Sequence, residues 1–157
     1  MIAAGLFAVG NYWLLALGGL LAQFASIIDG CDGEVARLKY LSSDYGGWFD
    51  AVLDRYADAF LLFGLTWYVY SQNTSPLVLA IGFLAIIGSF MLSYTSDKYD
   101  NLMQNHIKKS IRMGRDIRVF LIFLGAISNQ AYIVLILIAL IMNVETIRRI
   151  FIYRNEQ

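Results

Sequence analysis

Four carboxylates fall in two closely spaced pairs, Asp29 with Asp32 and Asp50 with Asp54. Residues three or four apart lie on one face of a helix, so each pair projects to one side of its own element. Packing two such elements together brings four anions to one place. Near a low-dielectric region they would be driven to take up protons, because desolvation and mutual repulsion both disfavour the charged form. Divalent cations remove that difficulty. Donor sets made of carboxylate oxygen favour Mg2+, Mn2+ or Ca2+ over Zn2+, and Mg2+ is the usual partner of phosphate groups. Two ions would balance four carboxylates. The lone Cys31 lies among these acids, can form no internal disulfide, and reads as an ordinary small side chain.

The residues between the carboxylates are small. Gly33, Ala36, Gly46 and Gly47 keep side chains away from the backbone and leave room for a close-fitting ligand. Arg37 adds a planar cation, whose paired donors suit a pyrophosphate. Carboxylates, small residues and one arginine together point to phosphoryl-transfer chemistry.

The string Asp32, Gly33, two residues, Ala36, Arg37, eight residues, Gly46, three residues, Asp50, three residues, Asp54, with Asp29 three places ahead, resembles the CDP-alcohol phosphatidyltransferase signature at every position. A spaced pattern of eight elements is far more specific than a single glycine motif. The resemblance implies metal-dependent transfer of a phosphate-linked alcohol from a CDP-alcohol to a hydroxyl, with release of CMP. It further implies that Asp29, Asp32 and Asp50 hold metal, with Mg2+ or Mn2+ and two ions expected. Asp54 completes the cluster, either as the base that takes the acceptor proton, the preferred reading, or as a fourth ligand only. Asp32, Gly33, Ala36, Arg37 and Gly46 would line the CMP end.

A second basic group bears on the acceptor. Arg115 and Arg118 are i, i+3 at the start of an apolar run, where two cations are costly unless they face an anion or water. With Lys98 they are candidates for binding an acceptor phosphate. Lys108 and Lys109 are equally well explained as interfacial charges. The strings Asp29 to Lys39, Gly47 to Asp58 and Gly114 to Ala126 are most similar to the di-myo-inositol phosphate phosphate synthase branch of the family, which joins CDP-inositol to inositol phosphate. A lipid-synthesising branch using a CDP-lipid donor is the alternative. A divalent cation transporter is the reading outside enzymes, and it has no need of the Gly, Ala and Arg spacing. His106 receives no role, and Asp58, one turn beyond Asp54, is expected to pair with Arg55 or a buried basic residue.

These residues need apolar elements to hold them. Hydrophobic residues make up 59% of 157 and charged residues 15%, with one proline, which excludes an ordinary soluble domain. At roughly 20 apolar residues per crossing, the runs Ile2 to Ile28, Gly46 to Tyr70, Leu77 to Tyr94, Ile117 to Ile127 and Ala131 to Val144 predict an all-α polytopic transmembrane helical bundle forming one domain over 1–157. The Ile117 to Ile127 run is short, so its helix is expected to extend back through the preceding basic stretch. Five spans are expected. The resemblance implies a sixth, N-terminal helix, in which case Met1 to Gly10 would be its tail and Asn11-Tyr12-Trp13 the turn. The first apolar stretch is not expected to be a cleaved leader.

Lys and Arg fall in three clusters, while the links Ser71 to Pro76 and Ser128 to Gln130 are uncharged. Alternating spans put the basic clusters on one side, cytoplasmic by the positive-inside rule, and the acids with them. An integral cell-membrane protein with a cytoplasmic-facing site follows as the expectation. Its partners are a CDP-alcohol donor, a phosphorylated polyol acceptor and the bilayer. No nucleic acid is expected, and a homodimer is implied by the resemblance alone.

Overall fold

The computed structural model describes residues 1–38, 43–103 and 115–155, and among these the regular structure is helical. Six helices follow in order: α1 (Ile2–Ala8), α2 (Tyr12–Leu38), α3 (Asp44–Gln72), α4 (Pro76–Met103), α5 (Arg115–Ile127) and α6 (Ala131–Asn155). The all-α bundle expected from the apolar runs is the architecture found. The expected backward extension of α5 falls on 104–114, outside the described residues.

One boundary decides between the five-helix and six-helix readings of the sequence. The run Ile2 to Ile28 is not a single helix, because the chain breaks between α1 and α2. Gly10 adopts φ 79, a left-handed conformation that costs glycine little. The Asn11 side chain then accepts a hydrogen bond from the Trp13 N–H at 3.1 Å, satisfying one of the donors that a helix start leaves open. The break falls where the family resemblance placed a turn, although α2 already takes in Tyr12 and Trp13.

Helix α2 has 27 residues and is therefore about 40 Å long, more than the roughly 30 Å hydrocarbon core. Its last turns, with Asp29 and Asp32, can reach the interface while its apolar middle stays in lipid. By length and apolar composition Tyr12–Asp32, Pro76–Thr95 and Ala131–Ile152 qualify as membrane spans. Helix α3 falls short because Asp50, Asp54, Arg55 and Asp58 lower the hydropathy of its first half, and the 13 residues of α5 cover only about 20 Å. Large apolar side chains such as Trp13, Phe24, Phe63 and Phe83 are exposed, as lipid-facing positions require.

The core gathers Phe7, Leu15, Leu62, Leu65, Val78, Leu92, Ile122, Leu135, Ile138 and Met142, all nearly inaccessible. Small residues let the helices approach closely. A methyl group added at Gly64 would lie 2.6 Å from the Ala4 carbonyl oxygen and 3.1 Å from its Cα, so α1 crosses α3 backbone to backbone. Gly88 makes similar room for Asn143 and Met142 of α6.

The turns at one end of the bundle are tied together. The Tyr12 hydroxyl donates to the Ile127 carbonyl at 2.9 Å, the Tyr68 hydroxyl to Asn129 Oδ1 at 3.0 Å, and the Gln72 amide to the Gly10 carbonyl at 3.2 Å. Asn129 itself has φ 55 and closes α5, with the Gln130 N–H donating to the Gly125 carbonyl at 2.8 Å as in a Schellman cap. The charged residues of α2 and α3 lie toward the other end.

Gly64→Ala should destabilise the protein by about 1–3 kcal/mol, the usual range for overpacking against a neighbour that cannot yield. Thermal unfolding in detergent checks this, with Gly5→Ala, whose added methyl meets nothing within 4 Å, as the comparison expected to change little.

Candidate metal and phosphate site

Helix α3 begins at a cap. Ser43 has extended backbone, φ −124 and ψ 153, and its hydroxyl accepts the Gly46 N–H at 3.0 Å, which fixes where the helical phase starts. From that start Asp50, Asp54 and Asp58 rise along one face. Asp29 approaches from α2. One carboxylate oxygen from each of Asp29, Asp50 and Asp54 lies within 4.8 Å of the others, so the structure brings three of the four sequence-predicted ligands together.

Asp32 stands outside that group. It is exposed on α2, three residues and most of a turn beyond Asp29. Gly33, Ala36 and Arg37 continue α2, Gly46 lies in the first turn of α3, and Lys98 belongs to α4. Gly46 serves the Ser43 cap through its backbone.

Two arginines of α5 enter the acidic stripe. Arg115 Nη1 donates to Asp29 Oδ2 at 2.6 Å and also pairs with Asp54 Oδ1, while its Nε is 3.8 Å from Asp58 Oδ1. Arg118 goes deeper. Its Nη2 meets Asp58 Oδ2 at 2.5 Å, and its Nη1 donates to the Ser89 carbonyl at 3.1 Å and to Ser93 Oγ at 3.3 Å. The Arg118 and Asp58 side chains are 3% and 4% exposed, against 19% for Arg115 and 43% for Asp29. The site is thus graded, with a buried pair joining α3, α4 and α5 below and a more open group of carboxylates above.

Both arginines were singled out by sequence, but their carboxylate partners, 60 and 86 positions away, are set by packing. Asp58 finds the buried basic partner expected for it in Arg118. Beside the cluster, Ser26 Oγ donates to Asp116 Oδ1 at 3.3 Å and fastens the start of α5 to α2. A groove there is lined by Gln23, Ser26, Ile27, Gly30 and Asp116. Sequence reasoning gave Asp116 no role, and its position after Arg115 carried no spacing signal.

The donor atoms fit a divalent cation. They are all carboxylate oxygens, they converge from two helices, and a cationic guanidinium already lies between two of them, so the position favours positive charge. The fold and the site define a helical membrane protein with an acidic, metal-competent centre. Residues 1–153 match the model of the CDP-alcohol phosphatidyltransferase family, and the chain belongs to that family.

Among known proteins it is similar to the bifunctional IPC transferase and DIPP synthase of Rubrobacter xylanophilus, 36% identical over 151 residues that cover 95% of this chain and 33% of the relative. The protein of the same description from Archaeoglobus fulgidus is 39% identical over 133 residues, covering 78% of this chain and 26% of the relative. The archaetidylinositol phosphate synthase of Pyrococcus horikoshii is 29% identical over 136 residues, covering 86% and 68%. The chain therefore spans a third or less of the length of those two bifunctional relatives.

Removing one member of the buried pair, in Asp58→Asn or Arg118→Met, should destabilise the protein by about 3–5 kcal/mol, because an uncompensated charge or its hydrogen-bonding partners remain buried. The double variant Asp58→Leu with Arg118→Met should recover much of that loss. Chemical denaturation of the purified variants in detergent reads both effects.

Proposed function

We propose that this chain transfers a phosphate-linked alcohol from a CDP-alcohol to a hydroxyl acceptor, with CDP-inositol as donor and inositol phosphate as acceptor, giving di-inositol phosphate phosphate and CMP. The observation that carries the reading is the convergence of Asp29, Asp50 and Asp54 within a chain that matches the family over nearly its whole length. The choice of donor and acceptor is supported by the relatives described as DIPP synthases.

Asp29, Asp32, Asp50 and Asp54 are the proposed metal ligands, and two Mg2+ or Mn2+ ions the proposed complement. Bound there, the ions supply positive charge to the pyrophosphate oxygens. Asp32, Gly33, Ala36, Arg37 and Gly46 hold the CMP end, the small residues by leaving space and Arg37 by donating to phosphate oxygens. Lys98 and Arg115 hold the acceptor phosphate. Arg118, committed to Asp58, supports them by fixing the start of α5.

The acceptor hydroxyl oxygen bonds to the β-phosphorus, the bond from that phosphorus to the bridging oxygen breaks, and CMP leaves with the electron pair. The hydroxyl proton passes to Asp54, the proposed base. In this reading the chain is a single domain over 1–157, resides in the cell membrane with the acidic end facing the cytoplasm, and acts as a homodimer.

A second reading keeps the chemistry and changes the donor to a CDP-lipid, with archaetidylinositol phosphate, phosphatidylinositol phosphate or phosphatidylglycerophosphate as product. It is favoured by the archaetidylinositol phosphate synthase relative, 68% of whose length is matched.

CMP release by purified protein with Mg2+ separates the two. Activity with CDP-inositol that requires inositol phosphate is expected, whereas turnover with CDP-lipid alone would move the assignment to phospholipid synthesis. Asp50→Asn should lower the rate more than about 100-fold, since outer-shell partners of a metal ligand are already worth 10–100-fold. No CMP from any donor would sink both readings.

A further inference from the structure

Arg115 is placed in an unusual way for a residue that would meet a substrate phosphate. A single guanidinium nitrogen, Nη1, contacts Asp29 Oδ2 at 2.6 Å and Asp54 Oδ1 as well. Those residues supply two of the three converging donors, the third being Asp50. A divalent ion bound by the same oxygens must sit about 2.0–2.1 Å from each if it is Mg2+, which leaves no room between them for Nη1. Guanidinium and ion are therefore alternatives at this position.

From this exclusion we propose that Arg115 is a resident counter-cation of the carboxylate cluster, competing with the divalent ion for Asp29 and Asp54 and swinging away when the ion binds. The inference rests on the metal-binding reading above. The surroundings suit such a switch. The head of Arg115 can move because its side chain is only partly buried, at 19% exposure. The helix under it is held, because Arg118 one turn on is locked to Asp58, Ser89 and Ser93, and Asp116 next to it accepts from Ser26. The α5 backbone can stay in place while one long side chain changes partners. Crowded carboxylates repel one another without a cation, so Arg115 offsets that repulsion between visits of the metal. Once displaced, it carries a free planar cation at the rim, where the acceptor phosphate is proposed to dock.

A competitor lowers apparent affinity by the fraction of protein in which it is seated, so if Arg115 is in place about nine-tenths of the time, deleting its charge should tighten metal binding about tenfold. The test is Mn2+ binding to the full chain in detergent, read by the loss of the free-ion paramagnetic resonance signal. Wild type, Arg115→Gln, Arg115→Lys and Asp50→Asn are compared. Arg115→Gln is expected to bind Mn2+ about tenfold tighter, Arg115→Lys to lie between it and wild type, and Asp50→Asn to bind more weakly. Unchanged or weaker binding in Arg115→Gln, with Asp50→Asn impaired, overturns the competition and leaves the metal site standing. An absence of Mn2+ binding in all four proteins overturns both.

A measurement on wild type alone covers the case in which Arg115→Gln does not fold. Modification of Arg115 by phenylglyoxal, followed by peptide mass spectrometry, should be slow in EDTA and several-fold faster in saturating Mg2+. Equal rates in the two conditions would overturn the displacement.

Discussion

Charge compensation in a low-dielectric bundle is the constraint on which the rest of this structure depends. Three carboxylates within 4.8 Å of one another and a fourth at 4% exposure cannot be held together by packing, since every approach of like charges inside protein is repulsive. What holds them is a pair of arginines one turn apart on α5. Arg118 neutralises the deep acid and joins three helices while doing so. Arg115 serves the shallow ones. The helices themselves are ordinary: long, apolar on the outside, and separated by turns that obey local capping chemistry.

The division of labour between those arginines follows from depth. A buried ion pair is rigid, because breaking it strands a charge. A pair near the surface, with water close by, is worth much less. Placing both kinds one turn apart gives a fixed lower contact and a labile upper one. That arrangement suits a family whose reaction brings in a second set of charges, the phosphates of the CDP-alcohol, that must be accepted and then released.

Much of the site was legible in the sequence because helical periodicity converts spacing into direction. Asp50, Asp54 and Asp58 had to share a face once α3 was recognised, and the small residues of the signature marked where a ligand could approach. Asp32 shows the limit. Spacing places it near Asp29, yet its distance from Asp50 and Asp54 depends on the angle at which α2 crosses α3, and no residue in the motif encodes that angle. The partners of Arg115 and Arg118 were equally hidden, because the contacts join residues 86 and 60 positions apart. The sequence could say that Asp58 needed a cation and offered Arg55 as the nearest; α5 packing selected Arg118. The fold was legible as apolar runs, and at the break by Gly10, where hydrophobicity continues, the turn was legible from the family resemblance instead. There the φ of 79 and the Asn11 cap are local signals that outweigh the hydropathy.

The end of the bundle opposite the acids has its own consequence. Tyr12, Tyr68 and Gln72 stitch three inter-helix corners together through short side-chain bonds, and the left-handed Asn129 terminates α5 where Tyr68 can reach it. Mechanically the bundle is tied at both faces, here by side-chain bonds among the turns and at the acidic end by the Arg118 contacts that join α3, α4 and α5. The spacing of the carboxylates is thereby set from both ends of the bundle, by the turns at one face and by the arginine contacts at the other.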